Sequence, residues 1–197
     1  MNFFAHLVLA EPTVESRVGN LLGDFARGVD TQALPKEVFA GLINHRRVDQ
    51  FTDQHSEVSR LKGCFSAQRR RFSGIALDVL FDHFLLKHWP HLSSTPVDQV
   101  IDSLYADLLA GQSLMPERMQ QVTQRMVATD WFRAYQQLDG VSYALDRIAG
   151  RIRFRHDFAG IGEELAVHYP RLEAGFNVFC CDLCERFPSP LMDAGKR

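Results

Sequence analysis

Hydrophobic residues recur along this chain at the three- and four-residue spacing of amphipathic helices, whereas the alternating runs that indicate strands are nearly absent. Capping residues, glycines and prolines set the expected ends: Ser73 caps a helix that Trp89-Pro90 ends, and Gly28 and Gly111 stop two others. The pattern predicts helices over residues 13–25, 35–51, 55–69, 74–88, 95–109, 116–127, 135–153 and 160–186. We therefore expect one all-α domain over residues 1–188, a helical bundle, followed by a disordered tail over 189–197.

The composition is that of a soluble globular protein, with 46% hydrophobic and 23% charged residues in a chain of 197. A net charge of −2 favours neither nucleic acid nor a membrane as a partner. The apolar start MNFFAHLVLA is too short to span a bilayer and lacks the cationic start of a signal peptide, so we expect a cytoplasmic protein. Cys181 and Cys184 have no second pair to complete a zinc site, so with Cys180 they are expected to be reduced, buried side chains.

The segment 74–88 is apolar nearly all round, which predicts a central helix, yet it contains two carboxylates and an imidazole. Asp78 and Asp82 are one turn apart on the same face, and His83 follows directly. Like charges in such a place repel each other unless a cation lies between them. The alternative is a buried salt bridge to Arg46 or Arg47 together with a hydrogen-bonded core histidine.

A second polar line lies on the helix predicted over 35–51 and just beyond it. His45, Asp49 and Asp53 follow one another at four-residue spacing, and His55 comes just past them. Asp24 ends a phrase with two glycines, which indicates close helix approach, while His6 in its apolar segment is more typical of a core histidine. Histidine and aspartate without thiolate suit Mn, Fe, Zn or Mg, so the pattern predicts a metal-dependent, phosphohydrolase-like protein.

Several long phrases resemble the acyl carrier protein phosphodiesterase family. They are the N-terminal MNFFAHLVLA, VGNLLGDF at 18–25, HRxxDxFTDxH at 45–55, and GIxxDxxxDHF at 74–84 followed by His88-Trp89. The resemblance implies an all-helical fold distantly similar to HD-domain metal phosphohydrolases, with Mn²⁺ as the favoured ion and Mg²⁺, Fe²⁺ or Zn²⁺ as alternatives. It also implies hydrolysis of the phosphodiester that joins 4′-phosphopantetheine to a serine of holo acyl carrier protein, a small acidic partner.

Transferred to this chain, the resemblance implies a metal site surrounded by Asp24, His45, Asp49, Asp53, Asp78, Asp82 and His83, but it does not say which of them bind the ion directly. The roles of individual residues are our hypothesis. The expected metal ligands are Asp24, His45, Asp78, Asp82 and His83. The expected catalytic residues are Asp49 and Asp53, one of which would orient the water, and Arg46, which would balance phosphate charge. Substrate binding is expected at Arg47 and at the basic turn formed by Arg69, Arg70 and Arg71.

Two other functions stay open at this point. A related enzyme could act on nucleotides or another small phosphodiester without needing a basic docking patch. A non-enzymatic helical module could instead use the same polar residues as a structural ion-pair network. The sequence has no P-loop, Rossmann or GxSxG motif, which excludes those enzyme classes.

Overall fold

Ten α-helices and no strand make up residues 1–193, the part of the chain that this computed structural model describes. The helices are α1 (Phe3–Val8), α2 (Val14–Leu22), α3 (Lys36–Gln54), α4 (Ser56–Lys62), α5 (Ser73–Leu92), α6 (Val97–Ala110), α7 (Glu117–Ala128), α8 (Trp131–Ala134), α9 (Leu138–Ala149) and α10 (Gly162–Arg186). Short 3-10 turns occupy Gly23–Phe25, Arg70–Phe72 and Gln112–Leu114. The all-α prediction is confirmed.

Helix α5 is the centre of the bundle, as its apolar pattern predicts. It packs against α1, α4, α6, α9 and α10, and its residues from Val79 to Leu86 are all buried. Phe81 stacks on Phe179 of α10 with ring centroids 5.2 Å apart, and Phe84 lies 5.2 Å from Phe176. The sequence predicts an end at Trp89-Pro90, but α5 continues to Leu92 and contains Pro90 in its last turn. The indole N–H of Trp89 donates to the Thr95 carbonyl at 2.9 Å.

Helices α2 and α3 approach so closely that glycine is required where they cross. A Cβ at Gly19 would lie 2.1 Å from the Val38 carbonyl oxygen, and one at Gly41 would lie 2.4 Å from that of Ser16. Asn44 of α3 donates to the side chain of Asn20 at 2.9 Å and ties the two helices together. The close approach expected near Asp24 is confirmed.

The structure corrects several predicted boundaries. Helix α4 ends at Lys62, because Gly63 caps it and Cys64 and Phe65 turn into the core, so the arginine-rich turn lies outside any long helix. The helix predicted over 135–153 is the shorter α9, Leu138–Ala149, and the short helix α8 precedes it; Gly140 of α9 packs on the Ala134 carbonyl oxygen of α8, 1.9 Å from where a Cβ would be.

The predicted disordered tail is also corrected over its first residues. Ser189 is buried and donates to the Val8 carbonyl, while Asp193 accepts from the Ser94 backbone N–H at 2.9 Å. The remainder of that prediction, residues 194–197, lies outside the described part of the chain. The cysteine prediction holds in part, because Cys180 is buried whereas Cys181 is exposed.

Candidate metal centre and its cavity

Two imidazoles and a carboxylate meet at the contact between α1 and α3. His45 and Asp49 lie one turn apart on α3, and α1 brings His6 against them from a distant part of the sequence. The Nε2 atom of His6 lies 3.1 Å from Asp49 Oδ1, and that of His45 lies 3.0 Å from Asp49 Oδ2. The two rings stack with centroids 3.9 Å apart, so both nitrogens face one carboxylate. We call His6, His45 and Asp49 the cluster.

The donor atoms of the cluster fit a divalent ion. One potential ligand atom from each residue lies within 4.8 Å of the other two. Neither ring nitrogen of the buried His6 has a hydrogen bond of ordinary geometry among residues 1–193. The pKa of His6 is lowered to about 4, mainly by burial; the contact with Asp49 opposes this shift and the nearby His45 adds to it. His6 is therefore neutral near pH 7, with a lone pair available to a metal.

Asp49 is the charged member of the cluster. Its partial burial works against ionisation, but contacts with His45 and His6 outweigh that cost and hold the pKa of Asp49 well below its ordinary range. A carboxylate with two imidazoles is a ligand set that Mn²⁺, Fe²⁺ and Zn²⁺ accept. The chemistry of the donors thus supports the metal expected from the sequence, with a different set of residues.

His6 owes its position to Asp82. The two carboxylate oxygens of Asp82 accept the backbone N–H groups of Phe4 and Ala5, at 2.9 and 3.0 Å, so this α5 side chain holds the first turn of α1. Asp82 is fully buried, and burial raises its pKa to about 7 even though those two N–H groups favour the charged form. Asp82 was expected to be a ligand, but the structure places it behind the cluster, where it positions α1.

His45 is held on its other side by Gly23. A Cβ at Gly23 would lie 2.0 Å from Cδ2 and 2.2 Å from Nε2 of the His45 ring, so this position must be glycine for the ring to stay where it is. Gly23 therefore makes room for the His45 ring of the site, whereas Gly19 makes room for the crossing of α2 and α3.

A positive charge already lies beside the cluster. The Met1 ammonium is 3.2 Å from Asp49 Oδ1 and 3.1 Å from Asp78 Oδ1. Burial lowers its pKa, but Asp78 and Asp49 raise it by more, to about 10. The point between these two carboxylates consequently favours a cation.

Asp78 and Asp24 open the site to a cavity of about 450 Å³. Asp24 is exposed at its edge, yet the protein around its carboxyl, together with Asp49 and Asp78, raises the pKa of Asp24 to about 6. The walls come from α1, α5, α7, α8 and α9, and they include the aromatic residues Phe3, Phe25 and Trp131. Four arginines line the same cavity: Arg118, Arg125, Arg147 and Arg151.

The structure does not bring every predicted site residue to this place. His83 is on the opposite side of α5, where its Nδ1 donates to the Tyr135 carbonyl and its Nε2 accepts from the Tyr169 hydroxyl, both at 2.7 Å. Asp53 is exposed and lies 3.6 Å from the Lys62 ammonium. These contacts satisfy both side chains away from the cluster.

The arginines predicted to bind substrate are also elsewhere. Arg46 is exposed, and Arg47 lies over the Phe187 ring at 5.9 Å beside a separate cleft. Arg69 donates to the carbonyls of Asp157 and Ala159, both at 2.8 Å, and pairs with Glu164. Arg70 and Arg71 contact the carbonyls of Phe65 and Arg155. This turn fastens the chain before α5 to the segment before α10.

Two parts of the site were missed by the sequence interpretation. His6 was weighed and set aside, because a lone histidine in an apolar segment gives no spacing signal, and the Met1 ammonium gives none at all. The cavity arginines have a weak sequence signal, since Arg147 and Arg151 are four residues apart, and Arg118 and Arg125 are two turns apart on one face of α7.

The fold and the site define a class, that of all-helical proteins with a candidate His-His-Asp metal site near an arginine-lined cavity. Comparison with known proteins narrows this class. The family model described as acyl carrier protein phosphodiesterase matches residues 1–183. The chain belongs to the acyl carrier protein phosphodiesterase family, which confirms the resemblance.

Individual relatives agree with the family match. The chain is 35% identical to the acyl carrier protein phosphodiesterase of Enterobacter sp. (strain 638), with 89% of this chain and 92% of that protein covered. It is 36% identical to the protein of the same name from Pectobacterium atrosepticum over the same shares. For that from Yersinia enterocolitica the identity is 36%, over 91% and 93% of the two chains. No solved structure gives a significant match, so the likeness to HD-domain enzymes stays a prediction. Among the described residues, no helix has the length and apolar character needed to cross a bilayer.

Proposed function

We propose that this protein is a metal-dependent phosphodiesterase that releases 4′-phosphopantetheine from the serine of holo acyl carrier protein. The observation that carries the proposal is the convergence of His6, His45 and Asp49, which the Met1 ammonium connects to Asp78 in the cavity wall. The family supplies the class of substrate, and the cluster supplies a place for the ion that the chemistry needs.

The residues suit distinct parts of this reaction. The cluster would hold the ion, and a divalent ion bound there lowers the pKa of a water molecule and polarises phosphoryl oxygens. Asp78 and Asp24 line the cavity, so they are better placed than Asp53 to orient the water and accept its proton. The arginines of the cavity are better placed than Arg46 to balance the charge of the phosphodiester.

The test is mass spectrometry of holo acyl carrier protein incubated with the protein and Mn²⁺. We expect the carrier protein to lose the phosphopantetheine mass, and EDTA should prevent this reaction. Asp49→Asn should lower the rate by at least about a hundredfold, as expected for loss of a ligand that also orients the site. Asp53→Asn changes a carboxylate one turn further along α3 and outside the cluster, so it separates the structural assignment from the one made from sequence.

Each result has a definite meaning. A stronger loss of activity in Asp53→Asn than in Asp49→Asn would favour the sequence assignment over the cluster. An unchanged carrier protein, with folded protein and Mn²⁺ bound, would refute the proposed substrate. In that case, hydrolysis of a small diester such as bis-p-nitrophenyl phosphate would indicate the small-phosphodiester alternative.

A further inference from the structure

The four cavity arginines form two pairs that face one opening. Arg118 and Arg125 are seven residues apart on α7, which places them two turns apart on the same face, with Val122 between them in the cavity wall. Arg147 is in the last turn of α9 and Arg151 follows four residues later, just beyond the helix. All four are exposed, so the guanidinium groups border the cavity where it meets solvent.

The charge of these arginines is not compensated by the protein. Across residues 1–193, no carboxylate forms an ion pair with any of the four. Arg133, close by in sequence, is different, because Asp98, Asp102 and Asp130 all pair with it. An excess of unpaired positive charge at one opening attracts an anionic partner and raises its rate of association.

The wall that leads inward from the arginines is aromatic. Phe3 stacks between Phe25 and Trp131, with ring centroids 6.2 Å apart in both pairs. Asp24 and Asp78 line the same cavity, and Asp78 contacts the Met1 ammonium that also contacts Asp49 of the cluster. A cavity of about 450 Å³ lies within the range that holds a single small-molecule group, and its mixed lining suits a flexible arm of amide and methylene units.

From this arrangement, and resting on the proposed function, we infer that holo acyl carrier protein docks its acidic surface on Arg118, Arg125, Arg147 and Arg151. The phosphodiester, which is attached directly to the serine of the carrier protein, then lies at Asp24 and Asp78, and the phosphopantetheine arm extends from it along the aromatic wall. The docking surface therefore differs from the Arg69–Arg71 turn, whose first arginine is already engaged by Glu164 and two carbonyl groups.

The experiment measures binding of apo acyl carrier protein, in EDTA, to three double variants, so that turnover plays no part. Arg118→Glu with Arg125→Glu should weaken binding by roughly tenfold or more and reduce its dependence on NaCl, because steering charges are reversed. Arg171→Glu with Arg186→Glu makes the same charge change on exposed α10 positions outside the cavity and should leave binding within about twofold. Arg70→Glu with Arg71→Glu tests the other basic surface.

The outcomes separate docking from catalysis. Binding that is lost only in the α7 variant supports the inference. Equal binding by wild type and the α7 variant, or a larger loss in the Arg70 and Arg71 variant, overturns it even if wild type hydrolyses holo carrier protein. A wild type that hydrolyses small diesters but neither binds nor hydrolyses the carrier protein overturns both the docking surface and the proposed substrate. Circular dichroism of each variant confirms that the fold is retained.

Discussion

Replacing Gly23 by alanine is the sharpest test of the cluster, because one methyl group would displace a single ligand. The backbone at Gly23 is helical, with φ −50° and ψ −41°, so alanine meets no conformational penalty there. Its Cβ, however, would lie 2.0 Å from the His45 ring, whereas ordinary contacts begin at 3.4 Å. The ring must therefore move by at least about 1.4 Å, the difference between those two distances.

That movement is large compared with the contacts that define the site. The His45 Nε2 atom lies 3.0 Å from Asp49 Oδ2, and a shift of this size takes it out of reach of an ion shared with Asp49. Loss of support for a metal ligand lowers affinity by about 10- to 100-fold. We expect a matching loss of Mn²⁺ affinity in Gly23→Ala, which corresponds to about 1.4–2.8 kcal/mol of binding free energy.

Isothermal titration calorimetry with Mn²⁺ measures this change, and urea unfolding in EDTA measures stability separately. The matched control is Gly74→Ala on α5, where a Cβ meets no atom of the described residues within 4 Å. It should raise the free energy of unfolding by up to about 1 kcal/mol, the ordinary gain from alanine in a helix. Wild-type Mn²⁺ affinity in Gly23→Ala would refute the assignment of His45 as a ligand.

Three further changes test how the polar residues are used. The pKa of His6 falls from 6.5 in the unfolded chain to about 4 in the folded protein. The contribution of His6 to the free energy of unfolding is therefore fully present above pH 6.5, and about 3 kcal/mol is lost towards pH 4, at about 1.36 kcal/mol per pH unit. His6→Gln should remove this pH dependence from urea unfolding curves measured in EDTA. The pKa of Asp82 rises from 3.8 to about 7, so its contribution to the free energy of unfolding is present below pH 3.8 and is lost as the pH rises to 7. Asp82→Asn should remove this decrease in stability with rising pH. An unchanged pH dependence in either variant would contradict the shift of that residue. His83→Leu removes the donor to the Tyr135 carbonyl, while the Tyr169 hydroxyl keeps only its contact with Lys87, so we expect a loss of about 1–3 kcal/mol in unfolding free energy. A large fall in Mn²⁺ affinity in His83→Leu would restore this residue to the metal site.

Periodicity was sufficient to predict eight of the ten helices and the central place of α5, because both follow from which side chains avoid water; the short helices α1 and α8 were not predicted. It also found His45 and Asp49, whose four-residue spacing places them together on any helix. It could not separate Asp78 from Asp82, although both face the N-terminal segment. The difference between them is which atoms of that segment they meet, backbone N–H groups or the Met1 ammonium, and no property of α5 alone determines this.

His6 shows the same limit more strongly. Its role depends on the position along α3 at which α1 makes contact. The apolar residues of α1 would be buried at several such positions along the bundle. The hydrogen bonds from Phe4 and Ala5 to Asp82 select one of them, and they join residues that are 78 and 77 positions apart in the chain. Local sequence therefore identifies the ligands of α3 but not the ligand that completes the cluster.

Because α3 supplies two of the candidate ligands and α1 supplies the third, the metal centre can be weakened in two distinct ways. Gly23→Ala moves a ligand while α1 stays anchored, so metal affinity falls by more than stability does. Asp82→Asn removes one of the two acceptors for α1, so His6 loses its position and metal affinity falls together with the free energy of unfolding. A bound ion stabilises the folded state in proportion to ln(1 + [L]/Kd), where [L] is the concentration of free Mn²⁺. Excess Mn²⁺ should therefore recover the stability of Asp82→Asn only if the bound ion can itself hold α1 in place. Recovery would show that the ion and Asp82 stabilise the same arrangement of α1, and its absence would show that the anchor must form before the cluster can bind.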